Sequence, residues 1–407
     1  MNIQCLKCKG RGYCGRDFCP IFTKARSMFK VKETLNKEEF FGSSPAPFVG
    51  RYGYPNINVG ILSPTEQTED AWEYDAPQFW SEHNYQIPEL VDLRSALINS
   101  RFKINIKNRS KFLEISQEVG MASKPVDIEI KLKKKPSFRM NFEAHVAPMG
   151  PNATLEKAEI TENPKISQKV NKVVADTDLK ANPAIIYLYK SGFDENFLSE
   201  ILSIGTLGVK TDRKLVPTRW SITATDDAIA KHLLARIRQY NQIDYTSYFG
   251  GYLGNYYLIL FFPGAWSYEL FETYAGKSVW HNSNNIDFMR DYEFYKGRKE
   301  YAENCGGGYY AARLPVCEKL EKLKKQGIVL CLRFITGEYS VPLGVWVVRE
   351  ATRKALKNKP IHFADKDLML NYARLLIKKK FGVNLDIILK QSIILKEMKE
   401  QRKLNEF

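Results

Sequence analysis

Tyr256-Tyr257-Leu258-Ile259-Leu260-Phe261-Phe262 is the segment from which the fold class follows most directly, because every one of its residues is apolar or aromatic. A strand with one face in water alternates apolar and polar residues, whereas a strand covered on both faces reads as a continuous apolar run. Gly250, Gly251 and Gly254 precede the run and Pro263-Gly264 follows it, so turn residues bound it at both ends. The run is therefore predicted to be a central strand of a sheet.

Strand and helix signals continue after this run. Ile328 to Ile335 is a second predicted buried strand, and Val345 to Leu356 is a predicted helix. Three glycines from Gly306 begin a helix that extends to about Gln326; their N–H groups would cradle a phosphate, with Arg313 as the counter-charge. The triplet lacks the Lys-Ser/Thr pair and the spacing of a nucleotide-binding fingerprint. These elements predict an α+β (mixed α/β) fold with antiparallel and parallel pieces.

The length of 407 residues exceeds what one hydrophobic core usually organises, so two domains with small appendages are expected. The predicted division is a four-cysteine metal-binding knuckle at 1–22, a mixed α/β N-terminal domain at 23–282, an α/β C-terminal domain at 283–400 and a docking tail at 401–407. The segment Gly42-Ser43-Ser44-Pro45-Ala46-Pro47 is predicted to be a linker without regular structure.

Charge points to a polyanionic partner. Lysine and arginine outnumber the acidic residues and give a net charge of +15, as expected for a protein that binds DNA or RNA. A basic chain that is merely soluble and binds polyanions nonspecifically is the alternative. Charge alone does not separate DNA from RNA. Because Met1 to Pro20 is charged and no apolar run is long enough to span a bilayer, the expectation is a cytoplasmic protein without a membrane partner.

Two basic series occur between residues 100 and 140. In the second, apolar residues alternate with charged ones over Val126 to Leu132, as on a half-exposed strand. Lysines pointing outward from this strand, beside the first series, would form a face that follows phosphates. Solvated charge is the alternative for either run alone. The residues are Arg101, Lys103, Lys107, Arg109 and Lys111 in the first series, and Lys131, Lys133, Lys134, Lys135 and Arg139 in the second.

Four of the seven cysteines, Cys5, Cys8, Cys14 and Cys19, fall within the first nineteen residues. Their C-x2-C-x5-C-x4-C spacing indicates a closed structural Zn²⁺ site, since four thiolates match tetrahedral zinc. An iron–sulfur cluster, also held by four thiolates, is the alternative. Basic residues between the cysteines would touch phosphates or simply offset the thiolate charge.

Two acidic pairs are candidates for chemistry. Val216 to Thr225 is predicted to be a strand that runs directly into a helix starting at Asp227, which makes Thr225 or Asp226 an N-cap and explains the pair Asp226-Asp227 without catalysis. Glu269 and Glu272 are three apart, so on a helix they would share a face and could hold a divalent metal with a third carboxylate. A solvated helix start is the other interpretation of that pair.

The hairpin-like stretch Phe48 to Gly60 is predicted to be a glycine-interrupted strand pair. Its GRYGYP core would bring the backbone and Arg51 close to a ligand, while glycines within strands more often mark a bulge.

The last seven residues, Gln401 to Phe407, carry a docking pattern. Gln401, Leu404 and Phe407 recur at every third position, the period at which side chains share one face of a 3₁₀ turn. This resembles the box by which repair and replication proteins bind the sliding clamp PCNA, a turn or helix seated in a groove. A frayed, solvated terminus is the alternative.

Several motifs in order resemble the archaeal Nre family. They are the cysteine knuckle that ends in Cys19-Pro20, FVGRYGYP from Phe48, RWSITATDD from Arg219, PGAWSYELFETY from Pro263, GGGYYAAR from Gly306 and VPLGVWVVREATR from Val341. The resemblance covers nearly the whole chain. It implies a DNA repair protein in which Gln401, Leu404 and Phe407 bind PCNA and in which Cys5, Cys8, Cys14 and Cys19 bind metal; it implies no particular reaction.

The preferred hypothesis is a DNA repair factor whose knuckle and basic faces bind DNA while its tail binds PCNA. The first alternative is a metal-dependent, nuclease-like enzyme that uses Asp226, Asp227, Glu269 and Glu272, with Arg313 as a further candidate, and it requires the carboxylates to converge. The second alternative is a protein that acts on RNA or tRNA.

Overall fold

The computed structural model describes residues 36–137, 148–275 and 287–400, with a few isolated positions before residue 36. It divides into two compact units, which we call the first unit (Met1–Gly10 with Pro20–Ile229) and the second unit (Arg11–Cys19 with Ala230–Phe407). The compact units thus part between Ile229 and Ala230, within a helix, whereas the sequence predicts a domain boundary after residue 282.

The first unit is built around a six-stranded sheet. The strand order is β1-β5-β6-β4-β3-β2, and every pairing is antiparallel except that of β4 with β6. The strands are β1 (Glu39–Ser44), β2 (Ala46–Val49), β3 (Asn56–Ser63), β4 (Ile98–Asn105), β5 (Val126–Leu132) and β6 (Asn152–Ile160).

The two edge strands of this sheet, β1 and β2, are consecutive in the chain and are separated only by Pro45. The sheet must therefore curl until its edges approach each other. Gly42 lies at the closure, where a Cβ would stand 2.1 Å from the Pro64 carbonyl oxygen, so only glycine fits there. The prediction of a linker at Gly42 to Pro47 is wrong, because these glycine, serine and proline residues serve a tight crossing between two strands.

Helices of the first unit cover this sheet, and their N-terminal caps are visible in the sequence. Ser110 accepts a hydrogen bond from the Leu113 N–H, and Asp194 accepts one from the Phe197 N–H, at 3.2 and 2.9 Å. The elements are a 3₁₀ helix (Glu69–Asp75), α1 (Pro77–Glu82), α2 (Ile87–Ser95), α3 (Lys111–Met121), α4 (Gln168–Ala175), α5 (Ala181–Lys190), α6 (Glu195–Ser203) and a short 3₁₀ turn (Lys210–Asp212).

Helix α7 (Thr218–Ile237) replaces the strand predicted from Val216 to Thr225. The Pro217 carbonyl accepts hydrogen bonds from the Trp220 and Ser221 N–H groups, so the helix begins immediately after the proline. The β-branched residues that suggested a strand form the first turns of a long helix, where packing overrides a weak local preference. Asp226 and Asp227 therefore lie inside the helix and are not N-cap residues.

The second unit contains another six-stranded sheet, in the order β11-β10-β13-β9-β8-β14. The β10–β13 pairing is parallel and the others are antiparallel. The strands are β8 (Thr246–Tyr252), β9 (Asn255–Phe262), β10 (Ser267–Tyr274), β11 (Asp287–Glu293), β13 (Ile328–Ile335) and β14 (Ile361–His362); β7 (Asn241–Gln242) pairs with β12 (Lys325–Gln326) outside this sheet.

Helices pack on the second sheet, as the apolar run predicts. The side chains of Leu258, Leu260 and Phe262 on β9 join a core with residues such as Met369 and Ile388 from the C-terminal helices. Tyr257, Ile259 and Phe261, which point to the other face, are also fully buried. The helices are α8 (Gly307–Leu323), α9 (Trp346–Lys357), α10 (Lys366–Phe381), α11 (Asp386–Leu389) and α12 (Ile393–Glu400).

The mixture of helices and sheets confirms the predicted α+β class, and β9 and β13 match the predicted strands to within a residue. The predicted helix around Glu269 and Glu272 is wrong, since both residues lie on strand β10. In the part of the chain that the structure describes, no helix is both long and apolar enough to span a bilayer.

Candidate functional site

The turn between β2 and β3, Gly50 to Pro55, presents two tyrosine rings to solvent. Tyr52 is 79% exposed and Tyr54 is 43% exposed. The guanidinium carbon of Arg51 lies 5.0 Å from the centre of the Tyr52 ring, so a cation and a ring are stacked at the tip of the turn. Large aromatic side chains are usually buried, which makes this group of exposed rings a candidate binding surface.

The start of α7 lies against this turn. The Thr218 hydroxyl accepts a hydrogen bond of 2.9 Å from the Val49 N–H, and the Trp220 ring lies 5.2 Å from the Tyr54 ring. Trp220 remains 46% exposed, and its neighbour Arg219 is also exposed. The FVGRYGYP and RWSITATDD motifs, more than 160 residues apart in sequence, therefore form one surface.

Strand β4 pairs with β3, the strand that follows the turn, and carries basic side chains on its exposed side. Pro55 O accepts a hydrogen bond from the Ile106 N–H at 3.0 Å, which joins the turn to the end of β4, and Lys103 stands opposite Asn58 of β3. Lys103 is exposed and Arg101 is half-buried on the same side of the strand. We call this surface the hairpin face: Arg51, Tyr52, Tyr54, Arg101, Lys103, Arg219 and Trp220.

Negative charge is missing from the three segments that build the hairpin face. Residues 46–65, 98–113 and 213–225 contain no Asp or Glu. Backbone hydrogen bonds tie the segments together, including one of 2.9 Å from the Leu215 N–H to Ile106 O. Within the described ranges, neither Arg101 nor Lys103 makes an ion pair. The face therefore combines unneutralised cations with exposed rings, which suits a polyanion that carries aromatic groups.

The second basic series behaves differently from the first. Lys131 on β5 points outward as predicted, but it pairs with Glu39 at 3.0 Å and with Glu156 at 3.9 Å. Lys133, Lys134 and Lys135 follow the strand and are exposed. Arg139 lies outside the described residues. Lys131 is thus neutralised by carboxylates, so the exposed cations of the second series follow β5 rather than lie on it.

Glu272, a candidate metal ligand, faces a buried cation instead. Its carboxylate accepts a short hydrogen bond from Arg333 of β13, and the Nε of that arginine donates to the Asn255 side-chain oxygen at 3.1 Å. Burial lowers the pKa of Arg333, but the Glu272 carboxylate more than reverses this and raises the pKa. The carboxylate also lies against Gly308, where a Cβ would stand 2.5 Å from it. The glycine run at the start of α8 thus makes room for Glu272.

Arg313 belongs to a second buried ion pair. It donates to Glu293 of β11 at 2.6 Å, and the same carboxylate accepts a hydrogen bond of 3.0 Å from the Trp266 indole N–H. Trp266, Glu293 and Arg313 are all almost fully buried. The PGAWSYELFETY and GGGYYAAR motifs therefore meet around internal charges, where Arg313 has a carboxylate partner rather than an accessible phosphate site.

Glu269 lies on the opposite face of β10 from Glu272, because successive side chains of a strand alternate. Its carboxylate accepts hydrogen bonds from the Ser392 hydroxyl and from the N–H groups of Ile393 and Ile394, the latter two at 2.9 and 3.3 Å. Burial raises the pKa of Glu269 although these donors and Arg290 lower it. Glu269 therefore holds the N-terminus of α12, the last helix before the tail.

The four carboxylates proposed for a nuclease-like site lie on two elements, α7 and β10. Asp226 is buried and Asp227 half-buried on α7. Glu269 and Glu272, on the two faces of β10, are each bound to other partners. Over residues 36–137, 148–275 and 287–400, no three His, Cys, Asp or Glu side chains are grouped so as to hold a metal ion.

Comparison with known proteins agrees with the motifs. A family model described as "Archaeal Nre, N-terminal" matches residues 13–281, and one described as "Archaeal Nre, C-terminal" matches residues 293–407. The chain belongs to the archaeal Nre family. The two family models meet between residues 281 and 293, whereas the compact units of the structure part after residue 229.

Three relatives in the Nre family resemble this chain over most of its length. DNA repair protein NreA of Archaeoglobus fulgidus is 38% identical over 385 residues, which cover 93% of this chain and 95% of the relative. DNA repair protein NreB of the same organism is 36% identical over 89% of this chain and 90% of its own length. DNA repair protein NreA of Haloferax volcanii is 36% identical and covers 81% of each chain. No solved structure matches the chain.

Most of the residues that the Nre resemblance predicts to bind PCNA or a metal lie outside the part of the chain that the structure describes. Gln401, Leu404 and Phe407 are outside it, as are Cys5 and Cys14. Cys8 is buried and Cys19 is half-buried. The metal set and the tail therefore stay predictions from sequence spacing.

The sequence does not predict that the aromatic rings of the hairpin face are exposed as a group. The sequence predicts that the GRYGYP turn presents Arg51, but it does not identify Tyr52, Tyr54 and Trp220 as one surface. The available signal was the absence of acidic residues in three basic stretches that also contain aromatic residues. Contact between these distant stretches required the fold.

Proposed function

We propose that this member of the Nre family is a DNA repair protein that binds DNA through the basic residues of the hairpin face and binds the sliding clamp PCNA through Gln401, Leu404 and Phe407. The observation that carries the repair role is family membership, with relatives at 36–38% identity that are named DNA repair proteins. The net charge of +15 and the acid-free segments of the hairpin face support the DNA contact.

The tail is suited to a docking role by its sequence and by its attachment. Gln401, Leu404 and Phe407 place an amide, an aliphatic group and a ring at intervals of three residues. The helix before it, α12, is fixed to β10 through Glu269, and Arg290 donates a hydrogen bond to the Gln391 carbonyl oxygen nearby. The docking residues thus follow an anchored helix directly.

Two weak contacts suffice when they act in one complex. A chain held at the clamp has a high effective concentration beside the DNA that the clamp encircles, so joint binding exceeds either affinity alone by about 10²–10⁴-fold. This explains how a seven-residue tail and a modest basic face would serve recruitment together.

The cysteine set is proposed to hold Zn²⁺. Cys5, Cys8, Cys14 and Cys19 offer four thiolates with glycines between them, which favours a closed structural site; an iron–sulfur cluster is the alternative. A metal bound by all four thiolates would have no open coordination position for chemistry.

The DNA contact is tested by fluorescence anisotropy on a duplex oligonucleotide across a salt series. Replacing Arg101 and Lys103 by alanine together is expected to weaken binding and to lower the slope of log affinity against log salt by about two, since about one unit is lost per phosphate contact. Lys378→Ala, at an exposed lysine of α10, is the control with one cation removed from the second unit. An unchanged slope in the Arg101/Lys103 variant would refute the DNA-binding role of this face. A matched RNA duplex in the same series separates DNA binding from RNA binding.

A further inference from the structure

The aromatic part of the hairpin face has a chemistry that phosphate binding does not use. Tyr52, Tyr54 and Trp220 expose 79%, 43% and 46% of their surface, and duplex DNA offers them nothing to stack on, because its bases are already stacked on one another. Unpaired bases, in contrast, lose exposed area and gain stacking energy on such rings. We infer that this face is a stacking site for the bases of single-stranded nucleic acid.

The turn that carries the rings is held in place by hydrogen bonds. The Gly50 N–H donates to Asn58 O and the Asn56 N–H donates to Gly53 O, both at 2.8 Å. Gly53 has a φ of +82°, and a Cβ there would stand 2.8 Å from Asn56 O, so glycine is required at this point. Because the turn is fixed before binding, little conformational entropy is lost when a base stacks on Tyr52 or Tyr54.

The hairpin face also carries cations, which can bind the phosphates of the nucleic-acid strand whose bases stack on the rings. Arg51 is beside the Tyr52 ring, Arg219 is adjacent to Trp220 in sequence, and Lys103 lies on the strand that the turn joins. Rings alternating with cations are the usual pattern for sequence-independent binding of single strands. An acidic or apolar protein segment would use the cations or the rings but would not require both.

The inference rests on the proposed function in one respect, since it supposes that the chain binds nucleic acid. It goes further by predicting that the nucleic acid is single-stranded and by naming the side chains on which its bases stack. Sequence preference is not expected, because stacking contacts the face of a base, which every base has.

The test uses the full chain and three labelled ligands in anisotropy titrations: a dT 20-mer, an oligo-U of the same length and a 20-base-pair duplex. Tyr52→Ala and Trp220→Ala are each expected to weaken binding of the dT 20-mer by about tenfold and to leave duplex affinity unchanged, since one stacked ring is worth about one factor of ten. Tyr52→Phe should bind like the unaltered chain, because the ring is kept. Tyr187→Ala, at an exposed tyrosine of α5, is the matched control and should also be unchanged.

Each outcome decides between the two proposals. Wild-type affinity of Tyr52→Ala and Trp220→Ala for the dT 20-mer would overturn the stacking site, as would a chain that binds the duplex but neither single strand; in the latter case DNA binding itself would stand. Failure to bind any of the three ligands would remove both. Equal binding of oligo-U supports the same site, since a ring does not read the sugar, and circular dichroism of each variant excludes misfolding as the cause of a loss.

Discussion

Arg333 carries a positive charge inside the second unit, where Glu272 and Asn255 satisfy it. Removal of one partner from a buried pair leaves the other charge without compensation, which costs about 3–5 kcal/mol. Arg333→Met is therefore expected to lower the free energy of unfolding by about that amount, measured by urea denaturation.

A double variant separates the loss of the pair from the loss of packing. Arg333→Met combined with Glu272→Gln removes both charges, so it should recover part of the stability that the single variant loses. If the double variant is no more stable than Arg333→Met, the cost arises from packing and Glu272 is not the partner that matters.

Glu200 of α6 gives a pH prediction in the first unit. Its pKa is raised well above the usual range, first by burial and then by Asp75 and Asp194, while Arg94 lowers it. A carboxyl with a raised pKa in the folded state does not lower the free energy of unfolding below its unfolded pKa of about 4.3. It lowers that free energy progressively as the pH rises through the folded pKa. Glu200→Gln should therefore raise the melting temperature at pH 8 and leave it unchanged near pH 4. An equal shift at both pH values would show that the charge of Glu200 is not responsible.

At the scale of elements, β10 fixes the helix that carries the tail. Glu269 accepts hydrogen bonds from the first N–H groups of α12, so its carboxylate acts as an N-cap supplied from a distant strand. Glu269→Ala is expected to cost about 1–2 kcal/mol of local stability, which hydrogen exchange would register as roughly tenfold faster exchange of the α12 amides. Glu397→Gln, at an exposed glutamate on α12, is the control. Unchanged protection in the Glu269 variant would show that α12 is held by its apolar contacts alone.

Elements that are buried on both faces could be predicted from sequence. β9 and β13 read as continuous apolar runs, and both strands lie where the sequence predicts them; α8 and α9 also begin within one residue of their predicted starts. The errors occurred where local preference and final packing disagree. Val216 to Thr225 is rich in β-branched residues yet forms α7, and the acidic residues of β10 suggested a helix surface although internal partners neutralise them.

The candidate site was only half predictable for the same reason. The basic series around Arg101 and Lys103 is visible in the sequence, because charge is a local property. The contact between Tyr54 and Trp220 depends on the pairing of segments more than 160 residues apart, which no periodicity reports. The ion pairs of Glu272 and Arg313 are likewise long-range, so the carboxylates looked available when considered singly.

At the scale of the whole molecule, the N-terminal cysteines make a prediction about metal content. Protein purified without added metal should contain about one zinc ion per chain by elemental analysis and should be colourless. Cys8→Ser is expected to lower the zinc content, while Cys317→Ser, at a buried cysteine of α8, should retain it. If the protein instead contains stoichiometric iron and absorbs visible light, the cysteines hold an iron–sulfur cluster and not zinc.

Recruitment to the clamp is the claim on which the proposed role of the whole molecule depends. Its most direct test is calorimetric titration of the full chain into PCNA from the same organism. The account predicts saturable heat for the unaltered chain and for Glu406→Ala, which changes a residue outside the docking pattern, and no binding for Phe407→Ala or for a chain that ends at Glu400. Absence of heat from the unaltered chain, or equal heat from the chain without its last seven residues, would contradict it.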